Sequence, residues 1–214
     1  DHRWATFDAG DIRELELGEK VDPNFRVEPR YWVLSQEVEQ QLPDWDPRWL
    51  LVFRDVTNAT NERTAIFTVI PRAAVGNNAP LLLPSVRDTQ LIACLVGSLN
   101  SLAFDFVTRH KVGGTHMNFF IVKQLPVLPP SAYTPADIDY IAPRVLELVY
   151  TAWDLKPFAE DMGYHGEPFK WDDPSTGAGR RAHLRAELDA YYARLYGLSR
   201  DELRYVLDPQ EVYG

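Results

Sequence analysis

Apolar side chains in the first half of the chain group into short runs that are typical of β-strands. Residues 49–54 (WLLVFR) and 63–70 (RTAIFTVI) are rich in strand-forming side chains, and the polar, turn-like segment 55–62 separates them. This pattern predicts two neighbouring strands. Residues 81–84 (LLLP) predict a further short strand.

The helical period is clearest over residues 88–110, where apolar side chains recur at three- and four-residue spacing. The pattern predicts one long helix with a single buried stripe, capped at its start by Asp88 or Thr89 and ended by the pair Gly113 and Gly114. Residues 117–122 (MNFFIV) are then expected to form a strand.

Helices are also predicted in the last third of the chain. Thr134, followed by a proline, marks the start of a helix over roughly 135–153. Residues 180–197 predict a second helix, and the pair Ser199 and Glu202 has the spacing of a capping box for a short final helix. The aromatic stretch between the first two helices is expected to be an irregular surface loop.

The sequence therefore predicts a mixed α/β (α+β) fold, with a small mixed β-sheet, packed helices and a helical C-terminal extension. Residues 1–25 show no sustained period and are expected to be an arm or linker. Residues 26–130 form the predicted main domain, with a strand at 30–34 (RYWVL) and a short helix starting at Ser35. Residues 131–214 form the extension.

Composition indicates a cytoplasmic protein without disulfide bonds. The lone Cys94 lies in an apolar helical pattern, where it is expected to be a small buried side chain rather than a nucleophile. No apolar run approaches the ~18 residues of a membrane span, and no signal-peptide pattern opens the chain. The chain starts at Asp1, and its methionines are Met117 and Met162, so we expect it to begin inside a longer reading frame.

Charge is distributed unevenly. The net charge of −9 argues against nucleic acid as a partner, because phosphate contacts require Lys and Arg. Residues 48–123, however, carry eight Lys and Arg residues against four Asp and Glu residues. A basic face on an acidic body is therefore compatible with the sequence.

Four segments, in this order and with the predicted long helix 88–110 between the second and the third, resemble the C-terminal target-recognition region of adenine-specific DNA methyltransferases of type IIG restriction-modification and phage-defence systems. The segments are EPRYWV at 28–33, LVFRDVTNATNERTAIFTVIP at 51–71, GGTHMNFFIVKQLPVLPP at 113–130 and LDAYYARLYGLSRDELRYVLDP at 188–209. The resemblance covers most of residues 26–209 and is most specific over 111–130 and 188–208.

The resemblance implies that the chain selects the double-stranded DNA sequence that is methylated. The methyl group would come from S-adenosylmethionine, bound in a catalytic methyltransferase domain of the same parent chain. The resemblance is compatible with a parent chain that also has endonuclease activity and with one that does not. The residues agree with this division, because the chain lacks the Asn/Asp-Pro-Pro-aromatic cluster that holds a flipped adenine. Residues 173–179 imitate a glycine-rich cofactor loop, but 169–172 before them are too polar for a buried strand, so a flexible turn is expected and no cofactor.

No catalytic or metal site is predicted in the chain itself. The strands at 49–54 and 63–70 contain no acidic residue for metal-dependent cleavage. His110 and His116 flank a glycine turn without an acidic or cysteine partner nearby, so a structural role or a phosphate contact is expected. No serine lies in a Gly-x-Ser-x-Gly frame.

The candidates for recognising DNA bases are side chains with paired hydrogen-bond donors on the loops between strands. The candidates for contacting phosphates are cationic side chains and exposed glycine amides. The predicted DNA-binding residues are Arg54, Asn58, Asn61, Arg63, Arg72, Asn77, Asn78, Lys111, Gly113, Gly114, His116 and Lys123. Turn conformation alone explains Asn and Gly in loops equally well. Arg109 is expected to cap its helix, and Tyr31 and Trp32 are expected in the core.

Two other functions remain open from the sequence. An acidic chain with a stripe of aromatic residues at 188–196 also fits a protein-interaction or scaffolding module of a defence complex, which would bind no duplex. A stand-alone hydrolase built from Asp, Glu and His groups is the third alternative, and it would require activity without any added domain.

Overall fold

The structure is a computed structural model that describes residues 2–171 and 179–208. It has an α+β fold, as predicted. The strands are β1 (Ala5–Asp8), β2 (Asp11–Glu14), β3 (Trp49–Phe53), β4 (Phe67–Pro71) and β5 (Leu81–Leu82). The α-helices are α1 (Leu17–Val21), α2 (Ser35–Gln41), α3 (Thr89–Leu99), α4 (Leu102–Lys111), α5 (Phe119–Val122), α6 (Pro135–Val149), α7 (Lys156–Asp161), α8 (Arg180–Leu195) and α9 (Arg200–Leu207).

The central sheet has the strand order β4-β3-β5, and all its pairs are antiparallel, so the sheet is antiparallel rather than mixed. Its register pairs Trp49 with Pro71 and Phe53 with Phe67. All five residues of β3 are buried, because this strand has a neighbour on each edge and helices pack over the sheet. The three strands predicted at 49–54, 63–70 and 81–84 are confirmed, each in a shorter form.

The predicted single helix over 88–110 is wrong, because the chain bends by 58° between α3 and α4. The Ser101 hydroxyl accepts a hydrogen bond from Phe104 N at 3.3 Å and so caps a new helix. Asn100, at the bend, accepts from Phe67 N at 3.1 Å and donates to Phe67 O at 3.0 Å. At the bend, the side chain of the C-cap residue Asn100 thus satisfies main-chain groups on the free edge of β4.

Two further predicted strands are absent from the described residues. The segment 30–34 pairs with no strand, and its residues 31–34 are between 57% and 78% exposed, so it packs on no sheet. Helix α2 follows it with Leu34 rather than Ser35 at its N-cap. The segment 117–122 contains the one-turn helix α5 instead. The Asn118 side chain accepts from Ile121 N at 3.2 Å, which favours a helical turn over an extended strand.

The first 25 residues, to which the sequence assigned no element, form the hairpin β1–β2 and helix α1. The side chain of Arg3 is buried, and it donates to the main-chain oxygens of Lys20 and Asp22 at 2.8 Å and to that of Thr151 at 3.4 Å. A buried guanidinium requires such acceptors. The N-terminal segment is therefore fastened to the C-terminal half.

The C-terminal helices agree with the predictions in most respects. Helix α6 starts at the Thr134 capping box and ends at Val149, earlier than predicted. The expected loop after it contains α7. Gly197, with φ of 76°, ends the turn after α8, and Ser199 forms the predicted capping box of α9 with Glu202.

One cluster of buried apolar side chains extends from Leu42 to Tyr192 and contains residues from both sides of Pro130. Helix α3 packs on α6, and α8 packs on α4 and α6. A close approach occurs where Gly97 of α3 meets Tyr192 of α8, since a Cβ atom at Gly97 would lie 2.8 Å from the tyrosine oxygen. The core thus joins the sheet to the C-terminal helices.

Candidate nucleic-acid interface

Three polar loops meet at the carboxyl end of β3. Asp55 N donates to Asn78 O at 3.0 Å, and Thr57 N donates to Thr115 O at 3.0 Å. Met117 N donates to Asp55 O at 2.8 Å, beside an isolated antiparallel bridge in the same region. Segments that are far apart in the sequence therefore form one surface. We call residues 54–64, 76–80 and 111–118 the loop face.

The longest loop of the loop face is held by its own side chains. The Thr57 hydroxyl donates to Thr64 O at 2.8 Å, and the Thr64 hydroxyl donates to Asn58 O at 3.1 Å. The Asn58 side chain accepts from Thr60 N at 2.9 Å, and the Asn61 amide donates to the Thr57 hydroxyl at 3.2 Å. Asn58 and Asn61 therefore both contribute hydrogen bonds to the turn.

Helix α4 anchors the same loop from below. The carboxylate of Asp105 accepts from Thr64 N at 2.8 Å and from Ala65 N at 2.7 Å. Its second oxygen accepts from Arg109 Nε at 2.7 Å, and Arg109 also donates to Ala59 O at 3.1 Å. Arg109 thus fastens the loop to the helix. The loop is fixed before any ligand arrives, which lowers the entropy lost on binding.

His116 is attached to the loop face by a short contact. Its Nδ1 lies 2.6 Å from the Oδ2 atom of Asp55, and the histidine side chain is 57% exposed, whereas that of Asp55 is 11% exposed. The buried carboxylate therefore orients an exposed imidazole. The sequence placed His116 beside a glycine turn and gave it no acidic partner, because Asp55 is 61 residues away in the chain.

Most of the remaining predicted DNA-binding residues are exposed on or beside the loop face. Arg54, Lys111 and Lys123 lie within 4.0 Å of no carboxylate in the described part of the chain. Gly113 and Gly114 have open space where a Cβ atom would stand. The exposed predicted residues are Arg54, Asn77, Asn78, Lys111, Gly113, Gly114, His116 and Lys123.

Arg63 is directed toward the C-terminal helices instead. Its guanidinium lies 2.8 Å from a carboxylate oxygen of Asp189 on α8, and its side chain is 18% exposed. Asp189 also accepts from Leu102 N at 2.7 Å. Burial raises the pKa of Asp189, while the positive charge of Arg63 opposes that rise. Arg63 therefore neutralises a buried carboxylate at the start of α4.

Arg72 lies at the other end of β3, where its main-chain N donates to Arg48 O at 3.0 Å. Its guanidinium donates to the main-chain oxygens of Trp45 and Pro47 and lies 2.7 Å from a carboxylate oxygen of Glu39. The side chain is 11% exposed. Arg72 thus joins the region around α2 to the sheet and is outside the loop face.

We expect Arg72→Ala to lower the free energy of unfolding by about 2 kcal/mol, because several carbonyl groups lose a charged donor. Arg54→Ala is the matched control, since Arg54 is exposed and makes one side-chain bond of 3.4 Å; its effect should stay within about 0.5 kcal/mol. Chemical denaturation of both variants measures the difference. Equal stability of the two variants would contradict the structural role of Arg72.

Sequence reasoning missed two exposed apolar features. Tyr31 and Trp32, expected in the core, are 78% and 76% exposed, and the two residues after them are exposed as well. Phe119 and Phe120, expected in a strand, are 42% and 76% exposed beside the loop face. A hydrophobic run alone predicts burial, so these positions carried no signal that marked them as exposed.

Three further features concern Cys94, the glycine-rich stretch and possible metal ligands. Cys94 is fully buried, and burial raises the pKa of its thiol to about 12, which makes it a poor nucleophile. The glycine-rich stretch 173–179 lies, apart from Gly179, outside the described residues. In residues 2–171 and 179–208, no three His, Cys, Asp or Glu side chains form a group that could hold a metal ion.

Comparisons with protein-family models, with curated proteins and with solved structures find no match to this chain. In the part of the chain that the structure describes, no single helix is long and apolar enough to cross a membrane. Helices α3 and α4 would reach that length together, but they are bent by 58°. The geometry of the loop face is therefore the basis for inferring a function.

Proposed function

We propose that this chain is the sequence-specific DNA recognition domain of a larger adenine-specific DNA methyltransferase of a restriction-modification or phage-defence system. Transfer of the methyl group and binding of S-adenosylmethionine belong, in this proposal, to a separate catalytic domain of the parent chain. The observation that supports it is the convergence of three donor-rich loops on the loop face. Double-stranded DNA is the proposed partner.

The chemistry of the loop face suits a duplex. Arginine offers two donors to the edge of guanine, and asparagine offers a donor and an acceptor to the edge of adenine. Arg54, Asn77 and Asn78 are exposed there and are the proposed base-reading residues. Main-chain hydrogen bonds join their loops to each other, so these side chains extend from an ordered main chain.

Phosphate contacts are assigned to the cations and open amides around the base-reading residues. Lys111 ends α4 and Lys123 follows α5, and both are exposed. Gly113 and Gly114 allow a phosphate to approach the main chain closely, because no side chain obstructs it. Each contact between one of these lysines and a phosphate releases counterions from the duplex, so binding should weaken as salt is added.

We expect the double substitution Lys111→Gln and Lys123→Gln to weaken duplex binding and to flatten its salt dependence. Each lost phosphate contact lowers the slope of log affinity against log salt by about 0.9. Anisotropy titrations of a labelled duplex at several salt concentrations measure the slope. Lys156→Gln on α7 is the control, because this exposed lysine lies away from the loop face and should leave the slope unchanged. A slope that stays the same in the double variant would contradict the assignment.

A protein-interaction or scaffolding module is the second candidate, and one observation favours it. Four consecutive apolar residues, Tyr31 to Leu34, are between 57% and 78% exposed, and exposed apolar patches often mark protein contacts. The same titration separates the two candidates. Salt-sensitive duplex binding supports DNA recognition, whereas its absence in the unchanged protein favours the interaction module.

A further inference from the structure

An exposed aromatic ring extends from the surface next to the loop face. Phe120 is 76% exposed and belongs to the one-turn helix α5. The other apolar residues of this turn are partly anchored: the ring of Phe119 makes an edge contact of 5.4 Å with that of Phe53, and Ile121 and Val122 pack against the core. In this one helical turn, Phe119, Ile121 and Val122 are therefore anchored to the protein, whereas the ring of Phe120 extends into solvent.

The main chain of helix α5 is held by several hydrogen bonds. The Asn118 side chain accepts from Ile121 N at 3.2 Å at the start of the turn. Lys123 N donates to Phe119 O at 3.0 Å, and Gln124 N donates to Ile121 O at 2.9 Å, so the turn continues past its last residue. Met117, just before it, is fully buried. The main chain that carries the ring is therefore already ordered, so little backbone entropy is lost when the ring binds.

Polar residues precede and follow the ring along the chain. Lys123 and Gln124 follow it in the chain, the Gln124 side chain donates to Phe120 O at 3.0 Å, and His116 precedes the turn. An aromatic side chain buries about 150–250 Å², whereas a stable protein interface covers about 800 Å² on each partner. Even with the half-exposed Phe119 and Val56 nearby, this patch is small for a protein partner. A single exposed ring with one exposed lysine, Lys123, three residues further along suits a base step beside a phosphate.

We propose that Phe120 is a wedge that enters the base stack of the duplex bound by the loop face. This inference rests on the proposed function. Proteins that kink DNA insert apolar side chains, phenylalanine among them, between base steps and partly unstack them. An enzyme that methylates adenine must take its target base out of the stack. A wedge beside the recognition loops lowers the cost of that step in the parent enzyme.

The test compares two duplexes of one sequence, one intact and one with a single abasic site, in anisotropy titrations with the full chain. The abasic duplex needs no unstacking, so the unchanged protein should bind it at least about fivefold more tightly. Phe120→Ala should remove this preference and leave the salt slope as it was, because no charge is lost. Phe120→Trp should retain the preference.

The matched control is Trp32→Ala, which removes an aromatic side chain of the same 76% exposure far from the loop face in the fold. It should bind both duplexes as the unchanged protein does. Unchanged preference for the abasic duplex in Phe120→Ala overturns the wedge alone, while failure of the unchanged protein to bind either duplex overturns the proposed function and the wedge together.

Discussion

Asp105→Ala is expected to lower the free energy of unfolding by about 3–5 kcal/mol, which is the usual cost of removing one partner of a buried ion pair. Asp105 is 1% exposed, and it accepts from Thr64 N and Ala65 N while it pairs with Arg109. Without the carboxylate, two main-chain N–H groups lose their acceptor and the guanidinium loses its counter-charge. Buried donors without partners are costly.

Denaturant titration followed by circular dichroism measures this loss. Asp105→Asn retains an acceptor for the two N–H groups but no negative charge, so its effect should be smaller than that of alanine. Asp139→Ala is the control, because Asp139 is an exposed carboxylate on α6 and should change stability by less than about 0.5 kcal/mol. A loss below about 1 kcal/mol for Asp105→Ala would show that the network does not stabilise the fold.

The Asp105 network also connects the fold to the proposed function. Arg109 reaches two main-chain oxygens of the long loop, those of Ala59 and Glu62, and it is itself held by Asp105. We expect loss of this anchor to loosen residues 59–65, which Asp105 and Arg109 hold, while Lys111 stays at the end of α4. The order of the loop face therefore depends on Asp105, a buried residue that is not part of the exposed surface of the loop face.

Three strands, at 49–54, 63–70 and 81–84, were predicted correctly because each one satisfies its own local pattern, whereas those predicted at 30–34 and 117–122 were wrong. Residues 49–53 are an unbroken apolar run, as a strand buried on both faces requires, and Thr134 followed by a proline starts α6 as expected. The helix 88–110 was predicted as one piece because its apolar stripe continues through the bend. At the bend, Ser101 caps α4 and Asn100 exchanges two hydrogen bonds with the main chain of Phe67, a partner 33 residues away that the apolar pattern does not reveal.

The candidate site could be predicted only in part for the same reason. Polar loops between strands were recognised from Asn and Gly, but the tasks of individual side chains depend on distant partners. Arg63 pairs with Asp189, 126 residues further along the chain, and Arg72 binds carbonyl groups 25 to 30 residues before it. Neither partner has a fixed spacing that a sequence pattern could reveal.

Trp49→Ala is expected to cost about 3–5 kcal/mol of stability, as the loss of a large buried aromatic ring does. Trp49 is 1% exposed, and its ring contacts those of Trp45 and Phe158 in edge geometry at 5.5 and 5.1 Å. Its indole N–H donates to the carboxylate of Asp161 at 2.8 Å. One side chain of the central strand thus binds directly to helix α7.

Trp49→Phe is the matched variant, because it retains an aromatic ring and loses the hydrogen bond, so its cost should be smaller, about 1–2 kcal/mol. The variants also test whether the chain unfolds as one unit. The core cluster crosses Pro130, so we expect a single cooperative transition that shifts as a whole in Trp49→Ala, seen alike by fluorescence and circular dichroism. Two transitions, of which one stays in place, would instead show that the helices after Pro130 form an independent unit, and the contact between Trp49 and Phe158 would then be a contact between domains.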